Sequence, residues 1–293
     1  MQMVNDKRAL ALGLCAVVLW STVATAFKLA LEELSVLQLL GIAALSSASV
    51  LTAHLAIQGQ LGACLKMVQH HWLECLLMGT LNPCVYYRVL LTAYDRLPAQ
   101  QAQTINYTWA ITLALFSIPV LKQRLSGRDW LAGVLGYLGA LIIATKGQPL
   151  SLEFTDGLGV VLALASTFLW AGFWLLNARS QHLPEHALTG YFLCSLPLLA
   201  ALIFWESHPW PAPGVALAAG AYVGVFEMGL TWLLWSQALR YASNVSRVGN
   251  LIFLAPILSL FLIATVLDEA IHPATVLGFA LILPGIFLQN RRA

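Results

Sequence analysis

Along this chain, apolar residues come in runs about as long as a bilayer is thick, separated by short polar breaks. A helix needs about 20 apolar residues to cross the hydrocarbon layer. The runs lie at 9–31, 36–57, 72–94, 99–121, 128–145, 157–179, 187–205, 214–239, 244–267 and 273–290. Residues that stop helices punctuate them: Pro98, Gly127, Gly147-Gln148-Pro149, Pro184, and the cluster from Pro209 to Gly214. The pattern predicts an all-α membrane protein of ten transmembrane helices, with no loop long enough to be a domain. The narrowest break is Asp95-Arg96-Leu97-Pro98. The run from Ala9 to Leu31 is too long for a signal peptide and is read as a retained first helix.

Composition agrees with the pattern. Of 293 residues, 59% are hydrophobic and 10% charged, against about 25% charged in a soluble domain, whose surface must face water. A net charge of +2 leaves no basic footprint for nucleic acid. Cys15, Cys64, Cys75, Cys84 and Cys194 are scattered, four of them in apolar runs. They read as small buried residues rather than a disulfide framework.

Basic residues orient the spans. With the N-terminus in the cytoplasm, Lys7, Arg8, Lys66, Lys122, Arg124, Arg128, Arg179, Arg240, Arg291 and Arg292 all lie in or beside cytoplasmic segments. Only Arg96 and Lys146 fall outside. The acidic Glu32, Glu33, Asp95, Glu153, Asp156, Glu206, Asp268 and Glu269 fall mainly on the far side. Ten spans then leave both termini cytoplasmic, with Gln289-Asn290-Arg291-Arg292 on the side the rule prefers.

The sequence also overlies itself weakly. At a displacement of 145, Gly79 meets Gly224, Ala93 meets Ala238 and Gly133 meets Gly278; near the start the displacement is 150 and Trp20 meets Trp170. The expected division is 1–148 and 149–293, each a five-helix repeat. Five is odd, so the second repeat enters from the opposite side. Inverted repeats of this kind characterise secondary transporters, with substrate held at the repeat interface near the midplane.

The paired segments Leu19-Trp20-Ser21-Thr22 and Leu169-Trp170-Ala171-Gly172, with Pro256 and Leu267-Asp268-Glu269-Ala270, resemble the EamA family of the drug/metabolite transporter (DMT) superfamily. The first half departs from that pattern. Ala110-Ile111 stands where the family has Pro, and Lys122-Gln123-Arg124 where it has Glu. Trp20-Ser21-Thr22 and Asn106-Tyr107-Thr108-Trp109 look similar to the YddG-type exporters of aromatic and other neutral amino acids. That resemblance implies ten helices around a central cavity in the cell inner membrane, lined by helices one, three, four, six, eight and nine.

Candidate site residues follow from depth. Glu227, in Gly224-Val225-Phe226-Glu227-Met228-Gly229, lies near the middle of the eighth run. An ionisable group at mid-bilayer costs at least about 2.5–3.5 kcal/mol on insertion scales, so it is expected to face a cavity or a partner. It could bind a substrate amine, carry the coupling proton, or be a structural carboxyl. Arg88, in the third run, could meet a carboxylate or pair with Glu227; Lys28 and Arg247 are simpler as snorkelling or anchoring residues. Trp20, Trp109 and Trp170 lie inside runs rather than in the interfacial belt. They either pack against helices and lipid or line a cavity with rings that stack on an apolar substrate. Tyr86, Asn106, Tyr107, Trp174 and Trp232 are further cavity candidates, while Trp72, Trp130, Trp205 and Trp210 read as belt residues. Asn82-Pro83, Pro119, Pro197, Pro256 and Pro284 interrupt helical hydrogen bonds and could serve as hinges or be tolerated in packing. Gly220, Gly224 and the series Gly133, Gly136 and Gly139 suit close helix approach. His70-His71 reads as a solvated loop. His182 and His186 are four apart, but Pro184 between them puts them in a loop, and no metal site is expected. There is no G-x-x-x-x-G-K-[ST] motif for nucleotide hydrolysis.

These features predict a secondary transporter, not an enzyme, that exports small neutral metabolites, most of all aromatic or neutral amino acids, by alternating access. No cofactor is expected; the partners are the substrate, the lipid bilayer and, as coupling ion, a proton. Another solute (a nucleobase, a quaternary amine or a drug) is the alternative within the class. An intramembrane enzyme would need a catalytic cluster, and a channel a continuous polar lining; mid-span polar residues are too sparse for either.

Overall fold

The computed structural model describes residues 5–109, 111–113, 115–116, 127–150, 156–179, 186–243, 248 and 250–290. Ala110, Pro119, Lys122, Gln123, Arg124, Glu153, His182, Pro184, Arg247, Arg291 and Arg292 lie outside the described residues. All regular structure among the described residues is helical.

Helix α1 runs Asp6–Leu31 and α2 Val36–Ile57. The Asn5 side chain caps α1 by accepting from the Arg8 amide, and Ser35 with Gln38 forms a reciprocal capping box on α2. Helices α3 (Leu61–His70), α4 (Trp72–Gly79), α5 (Tyr86–Arg96) and α6 (Ala99–Asn106) follow. Then come α7 (Gly127–Ala144), α8 (Gly157–Arg179), α9 (Ala187–Glu206), α10 (Val215–Tyr222), α11 (Thr231–Tyr241), α12 (Leu254–Val266) and α13 (Pro273–Asn290). Among the described residues, five helical stretches are long and apolar enough to cross a membrane: Asp6–Leu31, Val36–Ile57, Gly157–Asn177, Ala187–Glu206 and Val215–Tyr241.

Two helical stretches, 72–96 and Val215–Tyr241, are wound differently in the middle. A π-helical segment, Thr80–Val85, joins α4 to α5, and another, Val223–Leu230, joins α10 to α11. Each puts an extra residue into a turn, a feature that recurs at functional sites. In the first, Asn82 leaves helical geometry altogether (φ −143°, ψ 114°). Both segments give way to an α-helix of 11 residues, Tyr86–Arg96 and Thr231–Tyr241, whose bounds differ by 145 at both ends.

The stretch from Leu61 to His70 differs from its expectation as loop. It forms α3, because Cys64 and Met67, three apart, fall on one face and are buried, while Lys66, Gln69 and His70 stay exposed. His71, just past it, is exposed as anticipated. All five cysteines are free; Cys64, Cys75 and Cys84 are buried, Cys194 is half-buried and Cys15 is exposed.

Lipid is as apolar as leucine, so contact between spans rests on van der Waals fit and on small residues that let backbones meet. Gly139 and Gly278 are such residues: a Cβ on either would sit 2.7 Å from the carbonyl oxygen of the other. They bring α7 against α13. Gly79 and Gly224 repeat the device, a Cβ on each falling 2.2 Å from the carbonyl oxygen of Tyr191 and of Ala43 respectively. These obstacles are backbone and cannot rotate away. Gly224→Val is therefore expected to destabilise the protein by about 1–3 kcal/mol, the usual cost of overpacking. Gly62→Ala, where nothing lies within 4 Å, is the control. Thermal unfolding in detergent checks this; equal melting temperatures for the two variants would refute the close-approach argument.

Candidate functional site

Trp170, on α8, is the hub of a cluster of aromatic rings and is itself buried. Tyr86 stacks on it at 4.5 Å and 28°, and Phe173 at 6.0 Å and 27°. Tyr87, Trp109, Trp174 and Trp232 meet it edge-on at 6.5, 6.4, 5.8 and 5.7 Å. Trp174 and Trp232 stack on each other at 5.0 Å. Trp232 leads to Trp20 at 6.2 Å, and Trp20 to Trp235 at 5.3 Å. Edge-to-face and offset contacts of this kind satisfy the ring quadrupoles and fix ring orientation.

Glu227 enters the cluster from the π-helical segment between α10 and α11. The Tyr87 hydroxyl donates to its Oε1 at 3.0 Å. Its other oxygen, Oε2, is buried and has no hydrogen-bond partner. Seven more buried side-chain polar atoms among the described residues share that condition, among them the indole nitrogen Nε1 of Trp174, within the cluster, and Oδ1 of Asn82. Buried polar groups are nearly always paired, so an orphaned acceptor and an orphaned donor at one ring cluster are what a polar ligand would complete. Nearby, Asn106 Nδ2 donates to Ser166 Oγ at 2.8 Å, tying α6 to α8. The Thr22 and Tyr222 hydroxyls bond at 2.8 Å, tying α1 to α10.

Of the residues singled out in the sequence, Trp20, Tyr86, Trp109, Trp170, Trp174 and Trp232 lie in this cluster, and Glu227 joins it through Tyr87. Asn106 reaches Ser166, one turn before Trp170. Tyr107 follows at the C-terminal end of α6, half-buried. Arg88 stands apart from these: it is exposed. On α5 the buried face carries Tyr87, Leu90, Leu91 and Tyr94, and Arg88 shares the opposite face with Asp95. It therefore does not line the cluster or pair with Glu227.

Tyr87, Phe173 and Trp235 were not singled out in the sequence. Tyr87 is indistinguishable there from its neighbour Tyr86. Trp235 carries one readable signal, its three-residue spacing from Trp232 on one helix. A groove of about 560 Å³ lined by His70, His71, Trp72 and Leu73 contains none of the candidate residues.

The end of the bundle where α1 finishes is tied by polar contacts. Lys28 Nζ donates to the carbonyl oxygens of Tyr94 at 2.7 Å and Leu97 at 3.0 Å, capping α5. Glu269 accepts from the Ala99 and Gln100 amides, the first donors of α6. Gln100 donates to the Ala270 carbonyl and accepts from the His272 amide and the Thr275 hydroxyl. Arg96 pairs with Asp156 at 2.9 Å. The Gly159 amide and Arg96 hold the Asp156 carboxyl below its ordinary range, so it is charged at neutral pH. Because Glu269 supplies the cap of α6 from a distant part of the chain, Glu269→Ala is expected to cost about 1 kcal/mol, as loss of a helix cap does. The exposed Glu33→Ala should leave melting unchanged; equal effects would mean that the cap contributes nothing.

The sequence profile of the EamA-like transporter family matches residues 7–145 and again 157–291. The chain belongs to the EamA-like transporter family. It is a multi-pass transporter of the inner membrane, of the DMT type. It is 24% identical over 204 residues to the aromatic amino acid exporter YddG of Ancylobacter novellus, covering 68% of this chain and 70% of that one. A probable terminal-alkyne amino-acid exporter of Streptantibioticus cattleyicolor is 27% identical over 212 residues, 70% of this chain and 69% of that one. The human UDP-galactose translocator is 25% identical over 212 residues, 68% of this chain and 52% of that one. A solved crystal structure at 20% identity superposes over 97% of both chains with a TM-score of 0.67, a likeness of fold.

Proposed function

We propose that this EamA-family protein is a secondary transporter exporting small neutral metabolites, aromatic and other neutral amino acids foremost. Substrate reaches the ring cluster from the cytoplasm, and rocking of two inverted five-helix repeats, 1–148 and 149–293, releases it on the far side. Ten spans with both termini cytoplasmic are the topology this requires. The observation that carries the reading is the pairing of stacked rings around Trp170 with the unpartnered Oε2 of Glu227. Rings offer an apolar or aromatic side chain a stacking surface, and the carboxylate offers an α-ammonium an acceptor. Two of the relatives are named as amino-acid exporters, which agrees in substrate class.

Glu227 is also the proton carrier in this proposal, since an ammonium and a proton compete for one carboxylate. The same carboxylate beside the Trp174–Trp232 stack favours a second reading, a quaternary amine held by cation–π contact. Counterflow in proteoliposomes separates the two. Radiolabelled tryptophan or phenylalanine should exchange, and choline should not compete. Exchange of choline, with aromatic amino acids inert, would replace the first reading by the second. Steady single-channel currents in a planar bilayer would remove both.

A further inference from the structure

Two hairpin tips, at opposite ends of α1, are each held by an acid of the other half, the first through the Arg96 side chain and the second through the amide and hydroxyl of Ser243. Helix α5 ends at Arg96 and α11 at Tyr241, and each is followed by one extended residue, Leu97 (φ −112°, ψ 154°) or Ala242 (φ −73°, ψ 131°). Next stand Pro98 and Ser243, again 145 apart. At the first tip Arg96 is held by Asp156, with Nη2 to Oδ2 at 2.9 Å and Nε to Oδ1 at 3.2 Å. At the second, Ser243 is held by Asp6, its amide donating to Oδ1 at 2.8 Å and its hydroxyl to Oδ2 at 2.7 Å. The Asn5 amide donates to the Tyr241 carbonyl at 2.9 Å, and the Arg8 guanidinium lies 4.4 Å over the Tyr241 ring. Asp6 opens α1 and Asp156 immediately precedes α8, a displacement of 150, the one that relates Trp20 to Trp170. Each acid thus sits at the entry to the first helix of one half and holds the hairpin tip of the other half.

We propose that Asp6 and Asp156 are a matched pair of gate latches, each keeping one end of the transport path closed until the opposite end has shut. The proposal rests on the alternating-access reading above. Both latches are exposed contacts, weak enough to break and re-form within a transport cycle, as a gate must. Asp6 and Asp156 act through the tips and are positioning residues; neither belongs to the ring cluster.

The test uses full-length protein in oriented vesicles, with the five native cysteines replaced and Ser166→Cys, beside Asn106, as reporter. A membrane-impermeant maleimide is added from either side. Asp6→Ala is expected to raise labelling from the side that carries the α1 start by about two- to fivefold, the range for releasing one exposed polar contact. Arg96→Ala, which spares the Asp156 cap on Gly159, should raise it from the opposite side by a similar factor. A disulfide between Asp6→Cys and Ser243→Cys should suppress the first effect until it is reduced. If both variants merely lower the melting temperature, or shift labelling on the same side, the contacts are structural and the latch idea fails while counterflow still stands. If the parent reporter labels from one side only and counterflow is absent, the alternating-access reading itself fails, and the latches with it.

Discussion

Glu227→Gln is expected to abolish proton-driven accumulation while leaving substrate exchange measurable. The substitution keeps the shape of the side chain and an oxygen that can still accept from the Tyr87 hydroxyl. It removes the carboxyl proton; apart from the phenols of Tyr86 and Tyr87, this carboxyl is the cluster's acidic group among the described residues. A carboxyl at this depth is costly to insert, and such groups mark ion and substrate pathways. Loss of a coupling step worth about 1.4 kcal/mol or more lowers the driven rate at least about tenfold. In proteoliposomes, uptake driven by a pH gradient should collapse by that factor, and the pH dependence of counterflow should flatten. Tyr87→Phe should fall between, because it leaves Oε1 without its donor but keeps the proton. An unchanged pH profile in Glu227→Gln would end the coupling role; exchange at the wild-type rate as well would leave Glu227 as a structural carboxyl.

Several helices were legible because apolar runs of about bilayer length are set off by polar breaks. Helices α7, α8, α9 and α13 begin and end within about two residues of the apolar runs that predict them, within the ordinary blur of helix ends. The ring cluster was legible for a related reason. Tryptophan inside a span rather than at the belt needs a neighbour, and Trp20, Trp109, Trp170, Trp174 and Trp232 find one another. Arg88 was not legible, because depth along a span says nothing about which face of the helix a residue occupies. Facing depends on winding, and the π-helical segment ahead of α5 resets the phase by one residue. Helix α3 was hidden because it has 10 residues, about half of what a crossing needs, so a reading by span length passes over it. The bonds of Glu269, Gln100, Asp6 and Asp156 join residues far apart in sequence and have no local signature. What the sequence does carry is the displacement of 150 between Asp6 and Asp156 and of 145 between the ends of α5 and α11, which becomes meaningful once the contacts at the two tips are known.

Trp170→Ala tests the ring cluster where it is most concentrated. Removing the hub leaves Tyr86 and Phe173 without their stacking partner and Tyr87, Trp109, Trp174 and Trp232 without their edge contact. Truncation of a buried large aromatic costs about 3–5 kcal/mol, set by how far the neighbours can collapse into the gap. A fall in melting temperature alone would fit a purely structural cluster equally well, so the decisive measurement is the response to substrate. Wild-type protein should melt higher as tryptophan or phenylalanine is added, because a ligand that binds only the folded state stabilises it. Trp170→Ala should lose that response, whereas Trp170→Phe, which keeps a flat ring at the hub, should retain most of it. Trp205→Ala, at a side chain 88% exposed on the last turn of α9, should change neither the melting temperature nor the response. If Trp170→Ala melts lower yet gains as much from added amino acid as wild type, the rings hold the helices together and the substrate is recognised elsewhere. If the response disappears in Trp170→Ala and returns in Trp170→Phe, the hub serves both purposes, and the stability stored in stacking is what keeps the donor of Trp174 and the acceptor of Glu227 facing the ligand.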